Sequence, residues 1–177
     1  MKELRKYGHI RRTDDLGRII IPKEIRQFLN IRENEPLEIS VMERGIYIEK
    51  SQPLQTLESL CEQYLTVLFK SCNIACAVCS NEQIIRSKGI SLSTGQLLSA
   101  PLRKGIQNLE TYHYSEESPL RVFDDSKYLL DSVYPVGSKE QPLGAVILLH
   151  YRSTTPEERC CAKLIADILT ELTINQS

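Results

Sequence analysis

Residues 19–21 read Ile-Ile-Ile, a β-branched run without polar alternation, and Pro22 follows at once. Such a run favours strand and asks for cover on both faces. The neighbouring sequence is too short to give it. Residues 8–13 and 17–21 read as strands joined by a tight turn at Asp14-Asp15-Leu16-Gly17. Pro22 suits the first turn of a helix, where its missing N–H is harmless, and Ile25, Phe28 and Leu29 follow at helical spacing over two turns. Leu37, Ile39 and Val41 alternate with polar residues, as do Ile46 and Ile48 after Glu43-Arg44-Gly45, which reads as a hairpin with glycine at the turn. The order β-β-α-β-β therefore falls within about fifty residues, a length that buries only a marginal core by itself. A second copy is the expected remedy, so this segment is expected to fold as a dimer.

Charge singles out the same segment. Residues 1–32 hold nine Lys and Arg (Lys2, Arg5, Lys6, Arg11, Arg12, Arg18, Lys23, Arg26, Arg32) against Glu3, Asp14, Asp15 and Glu24, a net +5. The formal charge of the 177-residue chain is −1, so the remainder carries −6. A basic head on an acidic body fits a phosphate-seeking module attached to a regulatory one; chance clustering on a solvated face is the plainer alternative. No window approaches an 18-residue apolar run, so no membrane span or membrane partner is expected. Met1 to Arg12 is charged and lacks the apolar core of a secretion signal, which points to the cytoplasm.

A boundary is expected near Ser51-Gln52-Pro53, dividing the chain into 1–52 and 53–177. The second part opens with a helix over about 53–70, striped by Leu57, Leu60, Cys61, Tyr64, Leu65 and Leu68. Strands follow at about 73–80 and 82–88, then a helical stretch over about 93–109 with Pro101 as a bend or break. Residues 111–124 are polar and read as strand plus loop. Leu129–Val136 and Leu143–Tyr151 read as two central strands joined by a short loop, the second lying mid-sheet. A last helix starts near Thr155-Pro156-Glu157-Glu158, with cap, proline and acids in first-turn positions and a stripe of Cys161, Leu164, Ile165, Ile168, Leu169 and Leu172. These elements describe an α+β domain with an antiparallel sheet.

Six cysteines raise metal binding and redox chemistry. Cys76 and Cys79 are three apart in an apolar run that reads as strand, so their side chains should point to opposite faces and not share one ion. Cys160-Cys161 has no second pair at knuckle spacing, and His113 and His150 are not at ligand spacing from any cysteine. Reduced core cysteines, no metal and no cofactor are the expectation.

The stretch Gly8-His-Ile-Arg-Arg-Thr-Asp-Asp-Leu-Gly-Arg-Ile-Ile-Ile-Pro-Lys-Glu-Ile-Arg26, with Leu37-Glu-Ile39 further on, closely resembles the AbrB-type swapped-hairpin DNA-binding family over residues 8–50. The resemblance implies a barrel formed by interleaved hairpins of two chains. It also implies that Arg11, Arg12, Arg18 and Arg26 meet DNA, while Asp14, Asp15, Leu16 and Gly17 shape the turn presenting them. Guanidinium groups make paired hydrogen bonds to phosphate or guanine edges, and Lys23 adds a phosphate contact. Arg12 or Arg18 paired structurally with Asp14, Asp15 or Glu24 is the alternative. Family members often carry a second arginine where this chain has Gln27, and glutamine reads adenine. His9 reads as a structural histidine.

Residues 53–177 resemble, more loosely, the GAF-like domain of two-domain members that act in sporulation, through element order and Pro142-Leu-Gly-Ala-Val-Ile147. This resemblance implies an effector pocket, with Tyr112, Tyr114, Arg121, Asp131 and Tyr134 as lining groups, although core packing or surface position also explains each of them. The function expected is a transcription regulator that binds duplex DNA as a dimer or dimer of dimers. Two other classes compete with it. An antitoxin-type interaction module would carry a short acidic disordered tail, where this chain has an apolar-rich domain. A GAF-like cysteine reductase would need an accessible thiolate with a resolving partner. No nucleophile–base pair, phosphate-cradling loop or metal motif stands out, so no enzyme is expected.

Overall fold

The computed structural model describes residues 10–31, 33, 37–43, 45–51 and 53–174. Gly8, His9 and Arg44, together with Lys2, Arg5, Lys6 and Arg32 of the basic head, lie outside the described residues. Contacts divide the chain into two units, Met1–Ser51 and Gln52–Ser177. Both are built on antiparallel pairing, in a mixed α/β chain.

The first unit contains α1 (Lys23–Phe28), β1 (Leu37–Met42) and β2 (Gly45–Lys50). Pro22 precedes α1, and its carbonyl accepts from Arg26 N at 3.0 Å. β1 and β2 form a hairpin with Ile39 opposite Ile48 and Val41 opposite Ile46. The expected strands at 8–13 and 17–21 are not formed where residues are described: 10–14 and 18–22 carry no strand. The turn between them is closed, with Gly17 N donating to Asp14 O at 2.9 Å and Asp14 N to Arg18 O at 3.1 Å. Gly17 takes φ +75°, a conformation costly to other residues. Beyond the turn, the arms have no ladder partner among the described residues of one chain, and a strand is defined by its ladder.

The second unit is a five-stranded antiparallel sheet between two layers. Its elements are α2 (Pro53–Thr56), α3 (Glu58–Cys72), β3 (Cys76–Ser80), β4 (Ile84–Lys88), α4 (Ala100–Gln107), β5 (Tyr112–His113), β6 (Leu130–Gly137), β7 (Pro142–Leu149) and α5 (Pro156–Ile174). The strand order is β4-β3-β7-β6-β5, which puts β7 in the middle as its unbroken apolar run requires. On one face Cys76, Val78, Val136, Val146 and Leu148 pack under α3 and α5; on the other Cys79, Val133, Ala145, Ile147 and Leu149 pack under α4 and its loops. Cys76 and Cys79 thus face opposite layers. At Gly144 a Cβ would collide with the Cys79 carbonyl oxygen and lie 2.8 Å from Leu54 Cδ1, so only glycine lets β3 and α2 approach β7 there.

Three helical readings are corrected. The helix over 53–70 is two helices, interrupted at Leu57. The stretch 93–109 is helical only from Ala100. Ser99 caps it by accepting from Leu102 N at 3.4 Å, and Pro101 sits in the first turn, so the proline starts this helix and does not bend it. In α5 the buried positions are Ala162, Ile165, Ala166, Leu169 and Thr173, whereas Cys161 is exposed and Leu164 is 58% exposed. Alanines bring this helix close to the sheet, so the contact stripe is turned away from the larger residues. Its start is a capping box: Glu158 N donates to Thr155 Oγ1 (3.3 Å) and Thr155 N to Glu158 Oε2 (2.9 Å).

Candidate nucleic-acid interface and ligand cavity

The tip of the first unit is organised by Asp14. Its Oδ1 accepts from Leu16 N (3.0 Å) and Arg18 N (2.8 Å), an Asx-type turn, while Oδ2 accepts from Arg18 Nε at 2.7 Å. The Arg18 backbone and then side-chain hydrogen bonds hold the Asp14 carboxyl below its ordinary range. Of the three structural pairings considered for Arg18, the one with Asp14 is therefore present, yet the Arg18 side chain stays 71% exposed. Arg11 donates to Ile10 O at 3.1 Å. Arg11, Arg12, Arg18 and Lys23 are all exposed, and Arg26 on α1 is half-buried. The tip presents cations to solvent on a turn whose own carboxylate fixes its shape.

The apolar side chains of this unit are equally bare. Among the described residues up to Ser51 only Pro22 is buried. Ile39, Val41, Ile46 and Ile48, one face of the hairpin, are 67%, 86%, 63% and 36% exposed. Ile10, Leu16, Ile20 and Phe28 are exposed as well. A segment with this many unburied β-branched and aromatic side chains lacks a core of its own.

In the second unit a cavity of about 380 Å³ opens on the α4 side of the sheet. Tyr112, Arg121, Ser99, Gly105, Glu110 and Asp124 are among its lining residues. Of the five ligand-lining residues expected, it holds Tyr112 and Arg121. The Tyr112 hydroxyl donates to Ser118 O and accepts from Leu120 N, and Arg121 Nη1 donates to Ser126 O at 2.5 Å, so both side chains are held in place by the loop they line.

Asp131, Tyr114 and Tyr134 are gathered elsewhere. β6 carries a bulge: Leu130 pairs with Leu149 but Ser132 with Leu148, which leaves Asp131 as the extra residue. Asp131, 1% exposed, accepts from Ser132 Oγ (2.7 Å) and Thr154 Oγ1 (2.5 Å). Arg159 Nε lies 3.8 Å from it and donates to Thr154 Oγ1 at 2.6 Å. His150 Nδ1 stands 3.6 Å from Asp131, and Tyr114 stacks on the His150 ring at 3.6 Å between centroids. Burial pushes the Asp131 carboxyl up, but the hydrogen bonds from Ser132 and Thr154 with the Arg159 charge leave it below its ordinary range. Tyr134 is buried with its ring edge-on to His113, and burial raises its hydroxyl pKa. This cluster ties the sheet to the start of α5. Thr154, His150 and Arg159 were not foreseen; the signal for Thr154 was a hydroxyl residue just before a capped helix.

Of the cysteines, Cys61, Cys76 and Cys79 are buried, Cys72 is half-buried, and Cys160 and Cys161 are exposed, so the expectation of core cysteines fails for the last pair. Burial pushes the Cys61 thiol up to about 11 and those of Cys76 and Cys79 up to about 12, which removes them as nucleophiles near neutral pH. Among the described residues no group of His, Cys, Asp and Glu is placed to hold a metal ion. No described helix is long and apolar enough to cross a membrane.

Residues 10–56, which carry the cation-tipped turn, the short helix and the hairpin, match the family described as "Antidote-toxin recognition MazE, bacterial antitoxin". The likeness extends through the second unit in one relative. The chain is 29% identical to Stage V sporulation protein T of Bacillus subtilis (strain 168) over 159 residues, 87% of this chain and 89% of that protein. Transition state regulatory protein AbrB of the same organism is 38% identical over 55 residues, 31% of this chain and 57% of that protein.

Proposed function

We propose that this chain is a DNA-binding transcription regulator of sporulation genes and not an enzyme, acting in the cytoplasm on duplex DNA. In this reading the N-terminal segment, residues 1–52, is a swapped-hairpin barrel made by two chains. The observation that carries the reading is the bare face of the β1–β2 hairpin beside an exposed arginine tip. Two copies that bury Ile39, Val41, Ile46 and Ile48 against each other place two sets of Arg11, Arg12, Arg18, Lys23 and Arg26 on one assembly. Phosphate contacts from these groups supply affinity and register, and guanidinium contacts to base edges supply choice of site. The relationship to Stage V sporulation protein T supports a sporulation role, and its coverage of both units supports regulation over an antitoxin role.

The second unit, residues 53–177, is in this reading a GAF-like domain that assembles the dimer or dimer of dimers and receives a small-molecule effector in the cavity beside Tyr112 and Arg121. Tyr114, Asp131 and Tyr134 then serve the integrity of the sheet and not the effector.

The test uses the full-length chain and a pool of random-sequence duplexes, followed by fluorescence anisotropy on the enriched duplex. Arg18→Ala and Arg26→Ala are each expected to weaken binding about tenfold or more while the melting temperature stays put. Affinity that is untouched by both changes, or that shows no loss with rising salt, would sink the reading.

A further inference from the structure

At the cavity beside Tyr112 and Arg121, the donors of Ser99, Tyr112 and the start of α4 are spent within the protein. Ser99 Oγ donates to Arg121 O at 2.7 Å, and the Tyr112 hydroxyl donates to Ser118 O at 3.1 Å. Ala100 N donates to Asp124 Oδ1 at 3.3 Å, Leu102 N to Ser99 Oγ at 3.4 Å and Arg103 N to Ser99 O at 3.0 Å, while Pro101 has no N–H. A helix start whose N–H groups are taken offers an anion little to bind. The Arg121 guanidinium reaches through Nη1 to Ser126 O, a residue outside the cavity lining. Acceptors, by contrast, are left over. Glu110 and Asp124 both line the cavity. Glu110 uses Oε1 to accept from Asn108 Nδ2 at 2.9 Å, and Asp124 uses Oδ1 on Ala100 N. Oε2 of the one and Oδ2 of the other take no hydrogen bond among the described residues, and neither carboxylate stands in an ion pair with a described residue. The part of the chain beyond residue 32 carries −6, a field that draws cations.

We propose that this cavity takes an organic ammonium ion, a small amine whose charged end meets Glu110 and Asp124 and whose carbon skeleton lies against Leu102, Leu120 and Val133. The inference rests on the reading of the cavity as an effector site and names the chemical class of that effector. An ammonium group has three donors and no acceptor, the complement of two carboxylates with oxygens to spare. Leucine and valine side chains in the lining supply the apolar wall that an alkyl or aryl body needs, and about 380 Å³ admits on the order of ten non-hydrogen atoms. A ligand that carries a carboxylate instead meets like charge at Glu110 and Asp124, so the lining selects by repulsion as well as by attraction. Both acids are solvent-exposed, so the pairing is screened by salt and modest in strength.

Three probes that share the isobutyl group and differ in charge make the test: 3-methylbutylamine, 4-methylpentanoate and L-leucine, a cation, an anion and a zwitterion. Each is titrated into the full-length chain at neutral pH, with binding followed by saturation-transfer NMR of the probe and by calorimetry. The amine is expected to bind saturably, about fivefold or more tightly than either of the others, and to weaken as salt is raised. Glu110→Gln keeps an oxygen for Asn108 and removes the charge, and it should weaken the amine about fivefold. Asp124→Asn should act in the same direction while keeping its oxygen for Ala100 N, so the loss does not depend on one variant. Glu117→Gln, an exposed acid outside the lining, should leave binding unchanged. Absence of saturable amine binding, equal binding of all three probes, or an equal loss in Glu117→Gln each overturns the proposal. Preference for leucine or 4-methylpentanoate overturns it too, yet leaves the effector role standing. That role is read separately, as a change in DNA affinity when the amine is added. Amine binding that depends on Glu110 but leaves DNA affinity unmoved supports the ligand class and removes the effector role.

Discussion

Thr154 Oγ1 donates a 2.5 Å hydrogen bond to Oδ2 of Asp131, a carboxylate seated in a β-bulge and sealed from solvent. Thr154 also accepts from Arg159 Nε, so the hydroxyl relays a buried negative charge to a cation on the first turns of α5. A lone carboxylate at that depth would be costly; one given two hydroxyl donors and a nearby guanidinium stays ionised.

Asp131→Asn should therefore cost roughly 2–4 kcal/mol in urea unfolding at pH 7, because Arg159 and Thr154 are left with an uncharged partner in a buried place. The pH dependence has a definite sign. The folded Asp131 pKa is depressed, so its contribution is complete above the ordinary carboxylate value near 4 and is lost as pH falls through the lower folded value. The stability gap between wild type and Asp131→Asn should be constant above about pH 5 and narrow below about pH 4. A gap that widens on acidification would contradict the ionised assignment.

Two glycines in the second unit should respond in opposite directions. Gly144→Ala places a methyl group against the Cys79 carbonyl and Leu54, both immobile, and should cost about 3 kcal/mol or abolish folding. Gly105→Ala, within α4, meets nothing nearer than Glu110 Oε2 at 4.0 Å and should stabilise by about 0.5–1 kcal/mol through helix propensity. Thermal melts of the two variants side by side check both.

The residues show why some of this was legible in sequence and some was not. β7 could be placed mid-sheet because Leu143 to Leu149 is apolar on both faces, and only a central strand tolerates that. The Asp14–Gly17 turn was equally plain, since its side-chain cap and its left-handed glycine are local properties. Leucine spacing continues through residues 93–98 and overstates the length of α4, whereas Ser99-Ala-Pro101 is the stronger local signal for its start. In α5 a stripe drawn through the large residues points to Leu164, whereas the small Ala162 and Ala166 are the ones buried against the sheet. Tyr112 and Arg121 came to one cavity by virtue of a loop, and Asp131 left it by virtue of a bulge; neither device has a sequence period. Strands at 10–13 and 18–21 require a ladder partner, and periodicity within one chain does not say where that partner comes from.

The tip permits a separation of turn shape from charge. Asp14→Asn keeps a side-chain oxygen for Leu16 N and Arg18 N but gives up the ion pair with Arg18. Under the proposed function its DNA affinity should hold within about threefold or rise, since a neighbouring negative charge is gone. Asp14→Ala removes the turn's acceptors as well and should lose about tenfold, the backbone no longer holding Arg18 in place. Anisotropy titrations at fixed salt distinguish the two; equal losses would mean that the ion pair, not the turn, positions Arg18.

The apolar hairpin face gives the sharpest test of assembly. Val41 is 86% exposed and Ile39 67% exposed in the single chain, and a substitution at a surface position with no partner typically changes stability by less than about 0.5 kcal/mol. If instead two copies bury this face, a charge introduced there must be desolvated without a counter-ion, a cost of several kcal/mol per chain. Val41→Asp and Ile39→Lys should then convert the assembly to a smaller species in light scattering, unfold the N-terminal unit and abolish DNA binding together. The two substitutions carry opposite charge, so a shared phenotype argues from lost apolar contact and not from altered attraction to phosphate. Mixing the two variants should restore association in part, because Ile39 and Val41 lie on one face of β1 and a Lys on one chain then meets an Asp on the other. Native mass and DNA affinity left unchanged by both would show that this face is not where the chains meet.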